Sequence, residues 1–318
     1  MRGSRLFWSA SVVTAFAGAS CGDATTKNDG GADVTTTDQL VADTSTNDAS
    51  GPCNLGAPFG TPTLVPGVNV GQSIFGATFS SDELTAYLGT ADSDLDAGGF
   101  QLYVATRPSL TAAFAAPTLL TGSVNNGAND ERWPFVNAAG LKLFLSDNFQ
   151  TYAATRANVQ GTFGSPSSVA GVNATGFYTQ NAYANADGSH LFVTSNRDTG
   201  SQSGWLYEAT LVDGGYETPT KIAELASPQF EGEPVSSGDA LTLYFASGRD
   251  GTGSHVFVAT RSSLTTPFAM ITEVTEVNST DEGLDFPAWL STDSCRLYVL
   301  STRGTGLLEV YVAAKPEN

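Results

Sequence analysis

The chain of 318 residues carries 32 Asp and Glu against 14 Lys and Arg, which gives a formal net charge of −18. A surface this acidic repels nucleic-acid phosphates and anionic lipid headgroups, which argues against a nucleic-acid partner and against direct electrostatic binding to membranes. Charged residues make up only 14% of the chain and 34 residues are glycine, a composition that favours β-strands joined by turns over long amphipathic helices.

The first twenty residues have the layout of a secretory signal peptide. Two arginines precede an apolar run, Leu6–Ala17, which is too short for a permanent transmembrane helix. Because Cys21 directly follows small residues, the segment resembles a bacterial lipoprotein signal, in which that cysteine is acylated and becomes the mature N-terminus. Gly18 departs from the pattern, where Leu or a similar residue is usual. We predict a signal peptide over residues 1–20 and lipidation of Cys21; the alternative is ordinary cleavage that leaves a spare thiol.

Residues 21–51 are rich in Thr, Asp, Ala and Gly and contain no aromatic residue. Such a segment cannot bury enough apolar surface to offset the entropy lost on ordering, so we predict a disordered tether. An acidic spacer after an acylated cysteine holds a folded domain away from a membrane. We therefore expect an exported, lipid-anchored protein of the bacterial cell envelope whose folded domain spans residues 52–318.

Two strand patterns recur along this domain, about every 50 residues. One ends in Ala-Thr-Arg or a close variant, and the other precedes it after a turn rich in Gly, Asn, Asp and Ser. The copies of the first pattern are 102–107, 151–156, 206–211, 256–261 and 310–315. Those of the second are 84–90, 141–147, 189–195, 241–247 and 295–301. Five repeated pairs of strands follow from this pattern.

An outer and an inner strand complete each repeat. The outer strand begins with an aromatic residue followed three positions later by Pro, which suits a sheet edge. Its copies are 59–65, 114–120, 163–169 and 216–222, and a fifth at 268–274 lacks the proline. The inner strand precedes each turn, near Ile74–Phe79, Trp133–Val136, Tyr178–Tyr183, Glu233–Val235 and Phe286–Leu290.

The order of these strands predicts a closed ring. The first outer strand, 59–65, precedes every complete repeat, whereas the last repeat ends at its third strand, close to the chain end. Each of the five sheets has four strands only if the N-terminal outer strand pairs with the third strand of the last repeat. This pairing removes the exposed edge that an open array would leave. The predicted fold is therefore all-β: a five-bladed β-propeller closed by an N-terminal outer strand.

The two remaining cysteines support this closure. Cys53 precedes the first outer strand, and Cys295 begins the second strand of the last repeat. These two strands run parallel within an up-and-down blade, so both cysteines fall at the same end of that blade. We predict a disulfide between Cys53 and Cys295, which an exported location permits. The alternative is two buried or free thiols.

A family resemblance rests on the same repeats. The turn NADG, followed by LFVTSNRD and later by a strand ending in Ala-Thr-Arg, resembles the PD40 or WD40-like repeats of TolB-type propellers. The resemblance covers about residues 59–315, with 241–261 and 295–315 as the best copies, and it implies a propeller fold. The chain departs from TolB in having five repeats instead of six and nothing like TolB's separate N-terminal domain. A role in the Tol envelope system is therefore not carried over.

Acidic residues are predicted to gather on the face formed by the loops before the inner strands and those between the second and third strands. Carboxylates there suit Ca²⁺, or serve as the acid and base of a glycosidase; alternatively they cap turns and pair with arginines. The candidates for ligand or cation binding are Asp130, Glu131, Glu231, Glu233, Asp281, Glu282 and Asp285.

No catalytic residue is assigned from the sequence. His190 and His255 are isolated in the repeat pattern, and no nucleophile motif accompanies either. The chain also offers too few His and Cys ligands for a zinc site built from these residues. We expect a monomeric, non-enzymatic binding or scaffold module for a protein or glycan ligand, with no cofactor other than a possible Ca²⁺. The alternative is a carbohydrate-active hydrolase that uses carboxylates of the loop face.

Overall fold

The structure is a computed structural model. It describes residues 53–318 apart from 70, 92–98, 126–129, 199–203, 252 and 281–282. The predicted signal peptide over 1–20, the tether over 21–51 and the lipidation site at Cys21 lie outside the described residues.

The described residues form five small antiparallel sheets, which are the blades of a five-bladed β-propeller. Blade one contains β2 (Ile74–Phe79), β3 (Thr85–Ala91), β4 (Phe100–Thr106) and β5 (Thr118–Leu119). Blade two contains β6 (Arg132–Val136), β7 (Lys142–Asp147), β8 (Gln150–Thr155) and β9 (Ser167–Ser168). Blade three contains β10 (Thr179–Ala184), β11 (His190–Ser195), β12 (Trp205–Val212), β13 (Gly215–Tyr216) and β14 (Thr220–Lys221).

Blade four contains β15 (Glu231–Ser236), β16 (Thr242–Ser247), β17 (His255–Thr260) and β18 (Ala269–Glu273). Blade five contains β19 (Asp285–Leu290), β20 (Arg296–Ser301), β21 (Glu309–Ala314) and, from the N-terminal side, β1 (Thr63–Leu64). A 3₁₀ turn covers Ala223–Leu225. The described residues contain no helix with the length and apolarity of a bilayer span.

The predicted ring closure is confirmed. β1 pairs antiparallel with β21, Thr63 opposite Val312, and the amide of Val65 donates a hydrogen bond to the carbonyl of Val310. Aromatic packing crosses the same junction, because Phe79 of blade one lies 4.0 Å from Tyr298 of blade five between ring centroids. The strand pairing gives the last sheet its fourth strand, and the ring contact packs blade five against blade one.

The outer strands are shorter than predicted, and the difference is smallest in the fourth blade, where β18 lacks only one residue at each end. In the other blades their ladders begin several residues after the aromatic residue that opens the pattern, for example at Thr118 in blade one. That aromatic residue, Phe114 in blade one, is buried in the core instead of extending the sheet edge.

The Ala-Thr-Arg motif has a structural cause. The arginine at the end of the third strand lies over the aromatic ring that opens the outer strand, as Arg107 does over Phe114 at 4.5 Å. Its Nε donates to a turn carbonyl of the same blade, which for Arg107 is that of Glu83 at 2.9 Å. The equivalent pairs are Arg156 with Phe163, Arg261 with Phe268 and, across the closure, Lys315 with Phe59. The two sequence patterns therefore recur together because their side chains pack on each other.

A disulfide joins Cys53 to Cys295, which stand 242 residues apart in sequence with their Cα atoms 5.8 Å apart. It lies at the end of blade five where β1 enters, so it fastens the ring closure covalently. Disulfides are typical of oxidising compartments outside the cytosol, which agrees with an exported protein.

Candidate functional site

The centre of the propeller holds a channel lined by the five inner strands. Each inner strand contains a register shift, and a residue within or directly beside each shift lines the channel. These residues include Gly76, Trp133, Asn181, Glu233 and Pro287, and the cavity that they line is small, about 40 Å³. The irregular inner strands thus bring residues of all five blades to one shared space.

Left-handed backbone conformations accompany these bulges. Trp133, Asn181 and Glu233 have φ values of 48°, 57° and 46°, a region that non-glycine residues seldom occupy. Gly76 has φ of 105°, and a Cβ atom there would stand 2.4 Å from the Cα of Trp133. Strain of this kind persists only where the surrounding structure enforces it, and it is concentrated at functional sites.

The channel contains one pair of polar side chains that touch. Nδ2 of Asn181 donates a hydrogen bond of 2.9 Å to Oε1 of Glu233. Oε2 of Glu233 and Oδ1 of Asn181 are both buried, and neither has a hydrogen-bond partner among the described residues. Buried polar atoms are nearly always hydrogen-bonded in folded proteins, so we expect a water molecule, an ion or a ligand to satisfy these two.

Burial raises the pKa of Glu233 to about 8, against a smaller opposing effect of the hydrogen bond from Asn181. At neutral pH the carboxyl group is therefore mostly protonated and offers one O–H donor as well as acceptor oxygens. Tyr178 lies near enough for the charge of Glu233 to add to the burial that raises its own pKa. The pair presents a neutral donor and acceptor rather than a fixed charge.

The remaining wall is apolar. It includes Pro134, Phe135, Tyr183, Pro234 and Ala288. A mostly apolar cavity with a few converging polar groups is the common form of a small-molecule site.

Two of the predicted binding acids lie elsewhere, in buried ion pairs. Oε2 of Glu231 accepts from Nη2 of Arg249 at 2.9 Å, and Oδ1 of Asp285 accepts from Nη2 of Arg303 at 2.8 Å. Asp285 also accepts from the amide and hydroxyl of Ser279. Both acids are fully buried. Burial raises the pKa of Glu231, and hydrogen bonds from its neighbours, Arg249 included, oppose the rise.

The strand register corrects one equivalence suggested by the sequence. Asp285 pairs with Ser301 as Glu231 pairs with Ser247, so Asp285 corresponds to Glu231. The three prolines Pro134, Pro234 and Pro287 are therefore not equivalent, because Pro287 takes the place of Glu233 in the channel. Aligning the repeats on proline missed this because Pro234 follows Glu231 by three residues, whereas Pro287 follows Asp285 by two.

The other candidates are distributed as follows. Asp130 forms an ion pair with Arg132, and Glu131 is fully buried at the start of blade two. Asp281 and Glu282 lie outside the described residues. Of the seven, Glu233 alone lines the channel among the residues described, so the structure brings no second candidate carboxyl group to it. A Ca²⁺ site formed by these acids stays a prediction.

Sequence reasoning missed two groupings. Trp133 and Asn181 share the channel with Glu233, and aligning the five inner strands on their turns would have found them. His255 lies with its Nδ1 2.6 Å from Oδ2 of Asp250 and 3.4 Å from Oε1 of Glu273. The grouping of His255 with Asp250 and Glu273 depends on the pairing of β17 with β18. No short sequence motif predicts that pairing.

No protein-family model and no curated protein matches the chain. Among solved structures, the catalytic domain of a GH62 α-L-arabinofuranosidase from Coprinopsis cinerea shares 14% identity and a TM-score of 0.53, covering 82% of this chain and 98% of its own. An endo-arabinase from Bacteroides thetaiotaomicron shares 16% identity with the same coverages and TM-score. A putative TolB from Agrobacterium tumefaciens shares 16% identity at a TM-score of 0.47, covering 73% of this chain and 71% of its own. At these identities the first two similarities show a common fold alone.

Proposed function

We propose that the protein is a non-enzymatic binding module of the cell envelope, and that its central channel binds a neutral, hydroxyl-rich ligand such as the end of a glycan chain. The observation that supports this best is the unsatisfied pair of atoms, Oε2 of Glu233 and Oδ1 of Asn181, in a channel that is otherwise apolar. Hydroxyl groups both donate and accept, so they complement a protonated carboxyl beside an amide oxygen.

Two further features favour a glycan. Trp133 occupies the bulge position equivalent to those of Asn181 and Glu233, and sugar rings offer apolar faces to an indole. The solved structures of similar fold include an arabinofuranosidase crystallised with cellotriose, which supports the proposal by analogy of fold.

The test is a binding titration of the full chain at pH 7 with a panel of neutral oligosaccharides that includes arabinotriose, xylotriose and cellotriose. Asn181→Ala and Glu233→Ala are expected to abolish the heat of binding, whereas Glu233→Gln keeps it because the amide replaces a neutral carboxyl. Glu217→Gln, an exposed acid outside the channel, is the matched control. Binding that survives both alanine variants would place the ligand elsewhere.

A hydrolase is the second candidate, and the raised pKa of Glu233 favours it. A carboxyl group still protonated at neutral pH is the form that a glycosidic general acid requires. The second carboxylate of such a mechanism would come from outside the described channel lining. Glu233→Gln separates the two functions: a hydrolase loses turnover of aryl arabinofuranosides and keeps binding, whereas a binding module shows no turnover before or after the substitution.

We further propose that acylation of Cys21 attaches the module to a membrane. The lipoprotein-like layout of residues 1–21 supports this. Mass spectrometry of the protein expressed in a bacterium is expected to find a diacyl- or triacyl-modified cysteine as the first residue. The Cys21→Ser variant is expected to leave the membrane fraction. An unmodified mature N-terminus would overturn the proposal.

A further inference from the structure

A cluster of three potential metal ligands lies on blade four, formed by residues that do not line the channel. Asp250 belongs to the loop between β16 and β17, His255 begins β17, and Glu273 ends β18. Glu273 stands opposite Phe257 in the β17–β18 ladder. Because side chains alternate along a strand, Glu273 lies on the same face of the sheet as His255. The fold therefore brings one imidazole and two carboxylates together.

The geometry at His255 is that of converging ligands. The potential ligand atoms of the three residues all lie within 4.8 Å of one another. Nδ1 of His255 is close to an oxygen of each acid, at 2.6 Å and 3.4 Å, yet it makes no hydrogen bond with described residues. Both oxygens are therefore close to Nδ1 without the geometry of a hydrogen bond to it.

The imidazole of His255 is buried, and its Nδ1 has no hydrogen-bond partner among the described residues. His255 is only 8% exposed, and a buried ring nitrogen without a hydrogen bond is unfavourable. A cation placed between the three side chains would satisfy Nδ1 and neutralise the two neighbouring carboxylates. The acid side chains remain 24% and 34% exposed, which provides a path for an ion and a position for a water ligand.

We propose that Asp250, His255 and Glu273 bind a divalent transition metal ion, of which zinc is the expected one. Imidazole nitrogen, carboxylate oxygen and water are all zinc ligands, and together they supply the four positions of a tetrahedral site, whereas Ca²⁺ prefers oxygen ligands only. Asn278 supports the site, because its Nδ2 donates to Oε1 of Glu273 at 3.0 Å while its Oδ1 accepts from the amide of Val256. A second-shell contact of this kind orients a ligating carboxylate.

The ion would connect the loop after β16 to the outer strand of the same blade. Asp250 belongs to a turn in which the amide of Gly251 donates to the carbonyl of Gly248, and β18 is the outermost strand of the sheet. None of the three ligands lines the channel, so the site is independent of the proposed function.

The test is a calorimetric titration of the untagged, chelator-treated full chain with ZnCl₂, followed by the absorption spectrum of the Co²⁺-substituted protein. We expect one ion per chain and a tetrahedral cobalt spectrum. His255→Gln and Glu273→Gln are each expected to weaken binding by at least about tenfold, since even the loss of an outer-shell partner has an effect of that size. Circular dichroism before the titration confirms that each variant is folded.

His190→Gln is the matched control, because Nδ1 of His190 also stands 2.6 Å from a carboxylate oxygen, that of Glu208, and among the described residues it forms no ion pair with a second acid. It is expected to bind zinc as the unaltered chain does. Zinc binding that is absent from the unaltered chain, unchanged in His255→Gln, or equally lost in the control would overturn the proposal. Calcium binding that does not depend on His255, without zinc binding, would overturn it as well.

Discussion

Replacing Glu233 by Gln is expected to change how stability depends on pH. The pKa of this carboxyl group is about 8 in the folded chain and 4.5 in the unfolded one. The folded state therefore holds the proton more tightly, and between these two pH values the free energy of unfolding falls as pH rises. The decline begins near pH 4.5 and is complete above the folded pKa.

The size of the effect follows from the shift. Each pKa unit corresponds to about 1.4 kcal/mol, so ionisation of the buried carboxyl group removes about 4–5 kcal/mol by pH 9. Gln has nearly the same shape and does not titrate. The Glu233→Gln variant should consequently differ little from the unaltered chain at pH 5 and be more stable by several kcal/mol at pH 9.

Urea denaturation followed by tryptophan fluorescence at pH 5, 7 and 9 measures this difference directly. Titration of the other groups cancels between the two proteins, and Glu217→Gln supplies an exposed control whose stability difference should not vary with pH. A difference between Glu233→Gln and the unaltered chain that is the same at pH 5 and pH 9 would refute the buried, neutral carboxyl group.

Three further substitutions test the fold. Replacing Cys53 and Cys295 by Ser opens a loop of 242 residues and should lower the free energy of unfolding by about 4–5 kcal/mol in urea denaturation; an unchanged midpoint would contradict a covalent ring closure. Gly76→Ala should cost roughly 2–4 kcal/mol because its Cβ collides with the neighbouring blade, and Gly71→Ala, with the same sign of φ but open space, should cost less. Arg249→Met leaves the buried carboxylate of Glu231 without its partner and should lower the free energy of unfolding by roughly 2–4 kcal/mol at pH 7. A loss below about 0.5 kcal/mol would show that this ion pair does not stabilise the fold.

The strand order and ring closure could be predicted because they depend on local, repeated features. Alternating apolar residues and turn residues mark each strand, and five copies of the pattern reinforce one another. The disulfide between Cys53 and Cys295 followed from the closure, since the topology alone brings both residues to one end of blade five. Such inferences need the order of strands but not their detailed register.

The roles of the acids could not be predicted because they depend on register. Glu231 and Glu233 are two positions apart, which on a regular strand would place them on the same face. The bulge between Gly232 and Val235 sends Glu233 into the channel and leaves Glu231 with Arg249. Composition and residue spacing do not reveal which acid enters the channel and which forms an ion pair. The extra residue of the bulge decides this.

The cluster around His255 also could not be predicted from the sequence, because it depends on which strands pair. Its three residues come from a loop and two paired strands, and the acids stand 5 and 18 residues away from the histidine in sequence. Counting histidines and cysteines underestimates such a site, because carboxylates supply the missing ligands.

The most direct test of the proposed binding channel is an NMR titration of the Glu233 side-chain carboxyl carbon, in the free chain and in the chain saturated with a bound oligosaccharide. We expect a midpoint near pH 8 in the free chain, and a higher midpoint in the complex because the ligand further excludes water and accepts the proton's hydrogen bond. A midpoint near 4.5 in the free chain, or one that no bound ligand moves, would contradict a ligand site built on this carboxyl group.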